Sequence, residues 1–162
     1  MKKLLILLIT LLTPFEIAYG EVMRNYGHPT VYKTIYFKAG EKDANKILYE
    51  FAMQEMLENN VAANNQPDNV LAYKVDLDDD GINEIIGVVF GREYVAGSTG
   101  YSLFILKKYG NKYRDLSLTA FWPWNDFIIL KKKVKGFHVI EVHCPDGNTR
   151  YLKYNNKYYD YD

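Results

Sequence analysis

The stretch Val70-Leu71-Ala72-Tyr73-Lys74-Val75-Asp76-Leu77-Asp78-Asp79-Asp80-Gly81-Ile82-Asn83-Glu84-Ile85-Ile86-Gly87-Val88-Val89-Phe90 decides how this chain folds. Its two ends are rich in the β-branched and aromatic side chains that suit a pleated surface, and residues 76–84 between them carry five acids. An acidic loop of this kind also suits a helix-loop-helix hand. That reading requires a bidentate Glu at the twelfth place from Asp76, but the twelfth place is Gly87, inside a run that reads as a strand. The segment is therefore strand, acidic loop, strand, and the rest of the chain must supply a sheet for it to join.

Asp76, Asp78 and Asp80 occupy the first, third and fifth places of the loop, Gly81 the sixth and Glu84 the ninth. A tight turn with that spacing aims several carboxylates at one point, where close pairs repel by about 1 kcal/mol each even in solvent-like surroundings. A hard cation offsets the repulsion, and oxygen ligands at alternate places suit Ca²⁺. Ile82 is placed to offer its backbone carbonyl, which gives an expected metal set of Asp76, Asp78, Asp80, Ile82 and Glu84. Without a metal the same residues make an acidic surface turn.

The pattern resembles the calcium loops of FG-GAP and VCBS-type repeats, in which D-x-D-x-D-G-x-x-D/E precedes a β run. The resemblance spans residues 70–90 only; Asp79 stands where those loops usually carry Gly, and the chain has no second copy of the blade that a propeller would need. It implies one calcium loop within a small domain. The hairpin sequences downstream, around Gly110-Asn111-Lys112-Tyr113 and Tyr154-Asn155-Asn156-Lys157-Tyr158, are similar to those of small bacterial exported proteins. The expected role of Ca²⁺ is structural, because a catalytic ion needs an open position beside a partner acid or base, and no such partner stands out in the sequence.

Outward from the loop, strands are predicted near 70–76, 84–90, 101–108, 112–119, 126–131, 137–143, 149–154 and 157–161, separated by Gly and Asn turns. Thr30 to Lys38 alternates enough to join a sheet, and Lys131-Lys132-Lys133 with Lys135 reads as a solvated turn. Glu41–Asn59 repeats Ala44, Ile47, Leu48, Phe51, Ala52, Met56 and Leu57 at three- and four-residue spacing, with Lys46, Glu50, Glu55 and Glu58 on the other face. That is an amphipathic helix lying on a core. The expected fold class is α+β: one amphipathic helix packed on a curved, mainly antiparallel sheet of about seven to eight short strands. A closed barrel or a sandwich would use the same strand signals.

Residues 1–20 read as a signal peptide, with Met1-Lys2-Lys3, an apolar run from Leu4 to Leu12, and small residues in Ala18-Tyr19-Gly20 before the cleavage point. The apolar run falls short of the about 20 residues that span a bilayer. No stable membrane anchor is expected after cleavage, and residues 21–162 are expected to form a single β-rich domain, periplasmic or secreted. Losing Lys2, Lys3 and Glu16 leaves 18 basic and 19 acidic residues, a balance that excludes nucleic acid as a partner. Cys144 is the one cysteine, so no internal disulfide holds the fold.

Trp122 and Trp124 flank Pro123 in a loop, where exposed rings would bind a partner or a sugar and buried ones would close the end of a core. His138, Glu141 and His143 lie on one strand, where alternation puts Glu141 and His143 on one face and His138 on the other, so the three do not converge. No catalytic residue is assigned. The expected function is that of an exported, calcium-stapled binding domain that recognises a protein or cell-envelope component, such as an inhibitor or immunity-type protein acting on an envelope-directed enzyme. The competing class is a wall- or glycan-active enzyme, or a glycan-binding accessory factor, that uses the Ca²⁺ and the Trp122/Trp124 loop.

Overall fold

The computed structural model describes residues 30–36, 38–59, 69–90, 101–117, 126–144 and 147–161. The sheets and the helix lie within the compact unit Tyr32–Asp162, apart from Val31 at the start of the first strand. The described elements are β1 (Val31–Tyr36), α1 (Lys42–Glu58), β2 (Asn69–Val75), β3 (Glu84–Phe90), β4 (Tyr101–Tyr109), β5 (Lys112–Asp115), β6 (Asp126–Val134), β7 (Phe137–His143), β8 (Thr149–Tyr154) and β9 (Tyr159–Tyr161). They form a mostly β structure with one helix among the described residues. The strands divide between two sheets rather than one, in the orders β2-β3-β4-β5 and β1-β6-β7-β8-β9. Neighbouring strands from β2 to β5 and from β6 to β9 pair antiparallel.

The reason for two sheets lies in β3, where every residue from Glu84 to Val89 is buried. A strand without a polar face needs cover on both sides. On one side Ile85 and Val89, with Val70, Ala72, Phe104 and Leu106, pack against Ala44, Leu48 and Ala52 of α1. On the other side Ile86 and Val88, with Val75, Leu103 and Ile105, pack against Phe127, Ile129, Ile140, Val142 and Leu152 of the five-stranded sheet. The four-stranded sheet is thus the middle of three layers, and alternation along each strand sorts its side chains between two cores.

Close approach of α1 depends on Gly87. A Cβ there would lie 2.6 Å from the Leu71 carbonyl oxygen, 2.7 Å from Leu48 Cδ2 and 2.8 Å from Ala72 Cα. Gly87→Ala is expected to cost about 2 kcal/mol by overpacking, read as a lower urea midpoint at unchanged slope; an unchanged midpoint would mean that α1 moves away freely.

The start of α1 also covers the edge strand β2. Glu41 N–H donates to the Ala72 carbonyl at 2.7 Å, and Asn45 Oδ1 accepts from Ala72 N–H at 2.6 Å. These bonds occupy backbone groups that an open edge would leave to another chain. At the other side of the same sheet, Leu116 links the layers: its N–H donates to the Ile105 carbonyl at 2.7 Å, and its carbonyl accepts from Tyr159 N–H at 2.6 Å. Lys135 and Gly136 both have positive φ, 53° and 89°, as a two-residue hairpin of the primed type requires between β6 and β7. Among the described residues no helix is long and apolar enough to cross a membrane.

Candidate functional site

The acidic loop joins β2 to β3, and its ends are held by the pairing of Val75 with Glu84. Leu77 anchors it from below. The side chain is fully buried in the core between the sheets, the N–H donates to Glu84 Oε2 at 2.8 Å, and the carbonyl accepts from His138 N–H at 2.7 Å. Asp79 and Gly81 take positive φ, 59° and 81°. The chain reverses there, so Gly81 N–H donates to Asp76 Oδ2 at 2.9 Å and Ile82 N–H to Asp80 Oδ1 at 2.8 Å.

Three carboxylates converge above this turn. Asp76, Asp78 and Glu84 each offer an oxygen within 4.8 Å of the others'. Asp76 Oδ1 and Asp78 Oδ1 are buried and have no hydrogen-bond partner. Buried polar atoms are rarely left that way, since each forfeits its water without replacement. The donors are all hard oxygens, and two of them are unsatisfied, so the group could hold a hard metal ion. Asp76, Asp78 and Glu84 are the side chains that would hold the ion. Asp80 meets this group through a shared lysine, and Ile82 sits on the turn with its side chain 56% exposed.

That lysine is Lys107, from β4. Its Nζ lies 2.8 Å from Asp78 Oδ2, 2.9 Å from Asp80 Oδ2 and 2.8 Å from Glu84 Oε1. Burial of Lys107 opposes its charge, but the hydrogen bonds to the three carboxylates outweigh burial and hold its pKa above the ordinary lysine range. Glu84 is fully buried, and desolvation raises its pKa against the opposing pull of Lys107 and Leu77 N–H. Lys107 and Ile82 N–H together hold the Asp80 carboxyl below its usual range.

Asp79 turns away from this group. Its carboxylate lies 2.6 Å from Lys133 Nζ on β6 and 3.1 Å from His138 Nε2 on β7. His138 Nδ1 donates to the Leu130 carbonyl at 2.6 Å, and the ring stacks on Tyr32 at 4.4 Å between centroids. The loop is therefore tied both to its own sheet, through Lys107, and to the other sheet, through Asp79.

Lys107, Lys133 and His138 are the members of this arrangement that motif spacing does not reveal. Lys107 did leave a signal: it follows Leu103 and Ile105 at two-residue intervals, so alternation puts its ammonium on the core-facing side of β4. Lys131–Lys133 fall within β6 rather than in a turn, and this is what brings Lys133 to Asp79. Glu141 and His143 share a face, with His143 Nε2 3.1 Å from Glu141 Oε1 and His143 Nδ1 3.9 Å from Asp126 Oδ1. Cys144 is buried at the following turn, where its carbonyl accepts from Gly147 N–H at 3.0 Å. Trp122, Trp124 and residues 1–20, the expected signal peptide, lie outside the described residues.

Comparison with family models, with curated proteins and with solved structures finds no match to this chain.

Proposed function

We propose that this chain is an exported binding domain, periplasmic or secreted, whose acidic loop takes up one structural Ca²⁺ and whose surface recognises a protein or another envelope component. The observation that carries the metal reading is the pair of buried, partnerless oxygens on Asp76 and Asp78 beside the buried Glu84. The leader-like residues 1–20 support export, which would expose the loop to the millimolar Ca²⁺ at which extracellular calcium modules work. In this reading the ion tightens a clip that already joins the two sheets, and the domain acts as an inhibitor or immunity-type protein against an envelope-directed enzyme.

Melting tests the metal. About 10 mM Ca²⁺ stands ten- to a hundredfold above the affinities of extracellular calcium modules, so it is expected to stabilise the domain by about 2 kcal/mol over EDTA. That corresponds to a rise of about 6 °C in Tm for a domain of this size. Asp78→Ala is expected to abolish the Ca²⁺ response. Identical curves in EDTA and Ca²⁺ would remove the metal from the proposal. Affinity capture from the native cell envelope tests the binding half; turnover of a wall fragment with no captured partner would replace it with the enzymatic class.

A further inference from the structure

A groove of about 460 Å³ runs between α1 and the hairpin of β4 and β5. Its floor is Ile47, Phe51 and Tyr113, partly buried side chains that rest on the helix-facing core. Its wall carries Glu50, Glu55 and Glu58, against one base, Lys112, among the described lining residues. The placement of these acids is unusual for a helix. Glu55 and Glu58 stand at the C-terminal end of α1, the negative end of the helix dipole; Asn59 caps the Glu55 carbonyl through its N–H at 3.1 Å and its Nδ2 at 2.8 Å, but no base lies in the last turn to offset the charge of the acids. The visible neighbours compensate little: Glu58 Oε1 accepts from Gln54 Nε2 at 2.8 Å, and Glu50 lies 3.8 Å from Lys46 with both side chains largely exposed.

We propose that this groove binds a segment of a partner protein that carries lysine or arginine beside apolar side chains. The floor receives apolar groups and the stems of the basic side chains, while the glutamates and the helix end receive the charged tips. Tyr113 and Phe51 both line the groove, and a cation is attracted where it meets the face of such a ring. An acidic segment would meet three glutamates, and a purely apolar one would leave them desolvated without a partner. The proposal rests on the reading of this chain as a binding domain and names the surface it would use.

The probe is a short synthetic peptide alternating lysine and leucine, followed by amide NMR on the isotopically labelled mature domain. Shifts are expected to concentrate in residues 47–58 and 111–113. Affinity is expected to fall about fivefold in the double variant Glu55→Gln/Glu58→Gln, and to fall in wild type as salt rises. Both acids lie on the groove side of α1, and an unchanged melting curve with an unchanged Ca²⁺ response would show that the variant is folded and its loop intact. Equal affinity in the double variant, equal affinity for a glutamate–leucine peptide, shifts centred on residues 76–84, or no binding would each overturn the groove. A partner captured equally by wild type and double variant would keep the binding function and overturn this surface, which separates the two failures.

Discussion

Lys107→Met is expected to lower the stability of the metal-free domain by about 3 kcal/mol, and Ca²⁺ is expected to restore most of that loss. The wild-type ammonium is the nearest cation to Asp78, Asp80 and Glu84, at 2.8, 2.9 and 2.8 Å. Glu84 has no exposed surface through which water could replace it. Removing one partner of a buried ion pair leaves the other charge uncompensated, which costs far more than the pair itself contributes. Met keeps the length and apolar stem of lysine, so the packing near Phe137, whose ring centroid lies 5.5 Å from Nζ, is largely retained. The same change removes a tethered cation that competes with a free one. Ca²⁺ affinity is therefore expected to rise at least about tenfold, equivalent to about 1.4 kcal/mol, measured by calorimetric titration alongside melting in EDTA and in Ca²⁺. A variant as stable as wild type in EDTA would show that Lys107 does not neutralise the loop. A variant destabilised in EDTA and unmoved by Ca²⁺ would show that lysine is the cation this loop is built for.

The contrast between lysine and metal shows where reading the sequence stops. Asp76, Asp78 and Glu84 converge as their spacing implies, because a tight turn between paired strands is a local object. Lys107 is 23 residues beyond Glu84 in the chain, and only the pairing of β3 with β4 brings the two together. The division into two sheets escapes for the same reason: strand existence follows from composition, but strand order is set by contacts far apart in sequence. One clue to it was present. The unbroken apolar run Ile85-Ile86-Gly87-Val88-Val89 implies cover on both faces, which a single sheet with one helix cannot supply. Strand ends were less legible where a side chain replaces the ladder. The strand read as 112–119 stops at Asp115, whose carboxylate takes Ile105 N–H at 3.2 Å and Ser117 N–H at 2.8 Å.

Asp115 also carries the second large expected effect, one of pH. Burial pushes its carboxyl up to about 6 from an ordinary 3.8, against the opposing pull of Ser117 N–H, the Ser117 hydroxyl and Ile105 N–H. A raised pKa means that the folded state holds the proton more tightly than the unfolded chain. The stabilisation is fully present below about pH 4 and is lost as pH rises through about 6. The free-energy difference across that window is about 3 kcal/mol. Asn at this position removes the titration and keeps the geometry: Oδ1 still accepts from Ile105 and Ser117 N–H, and Nδ2 can donate to Ser117 Oγ while that hydroxyl donates to the Leu103 carbonyl, 2.9 Å away. Stability of Asp115→Asn relative to wild type is therefore expected to rise by about 3 kcal/mol between pH 4 and pH 8, measured by urea unfolding at a series of pH values. Parallel curves for the two proteins would show that water reaches this carboxylate and that the strand end is more open than its burial implies.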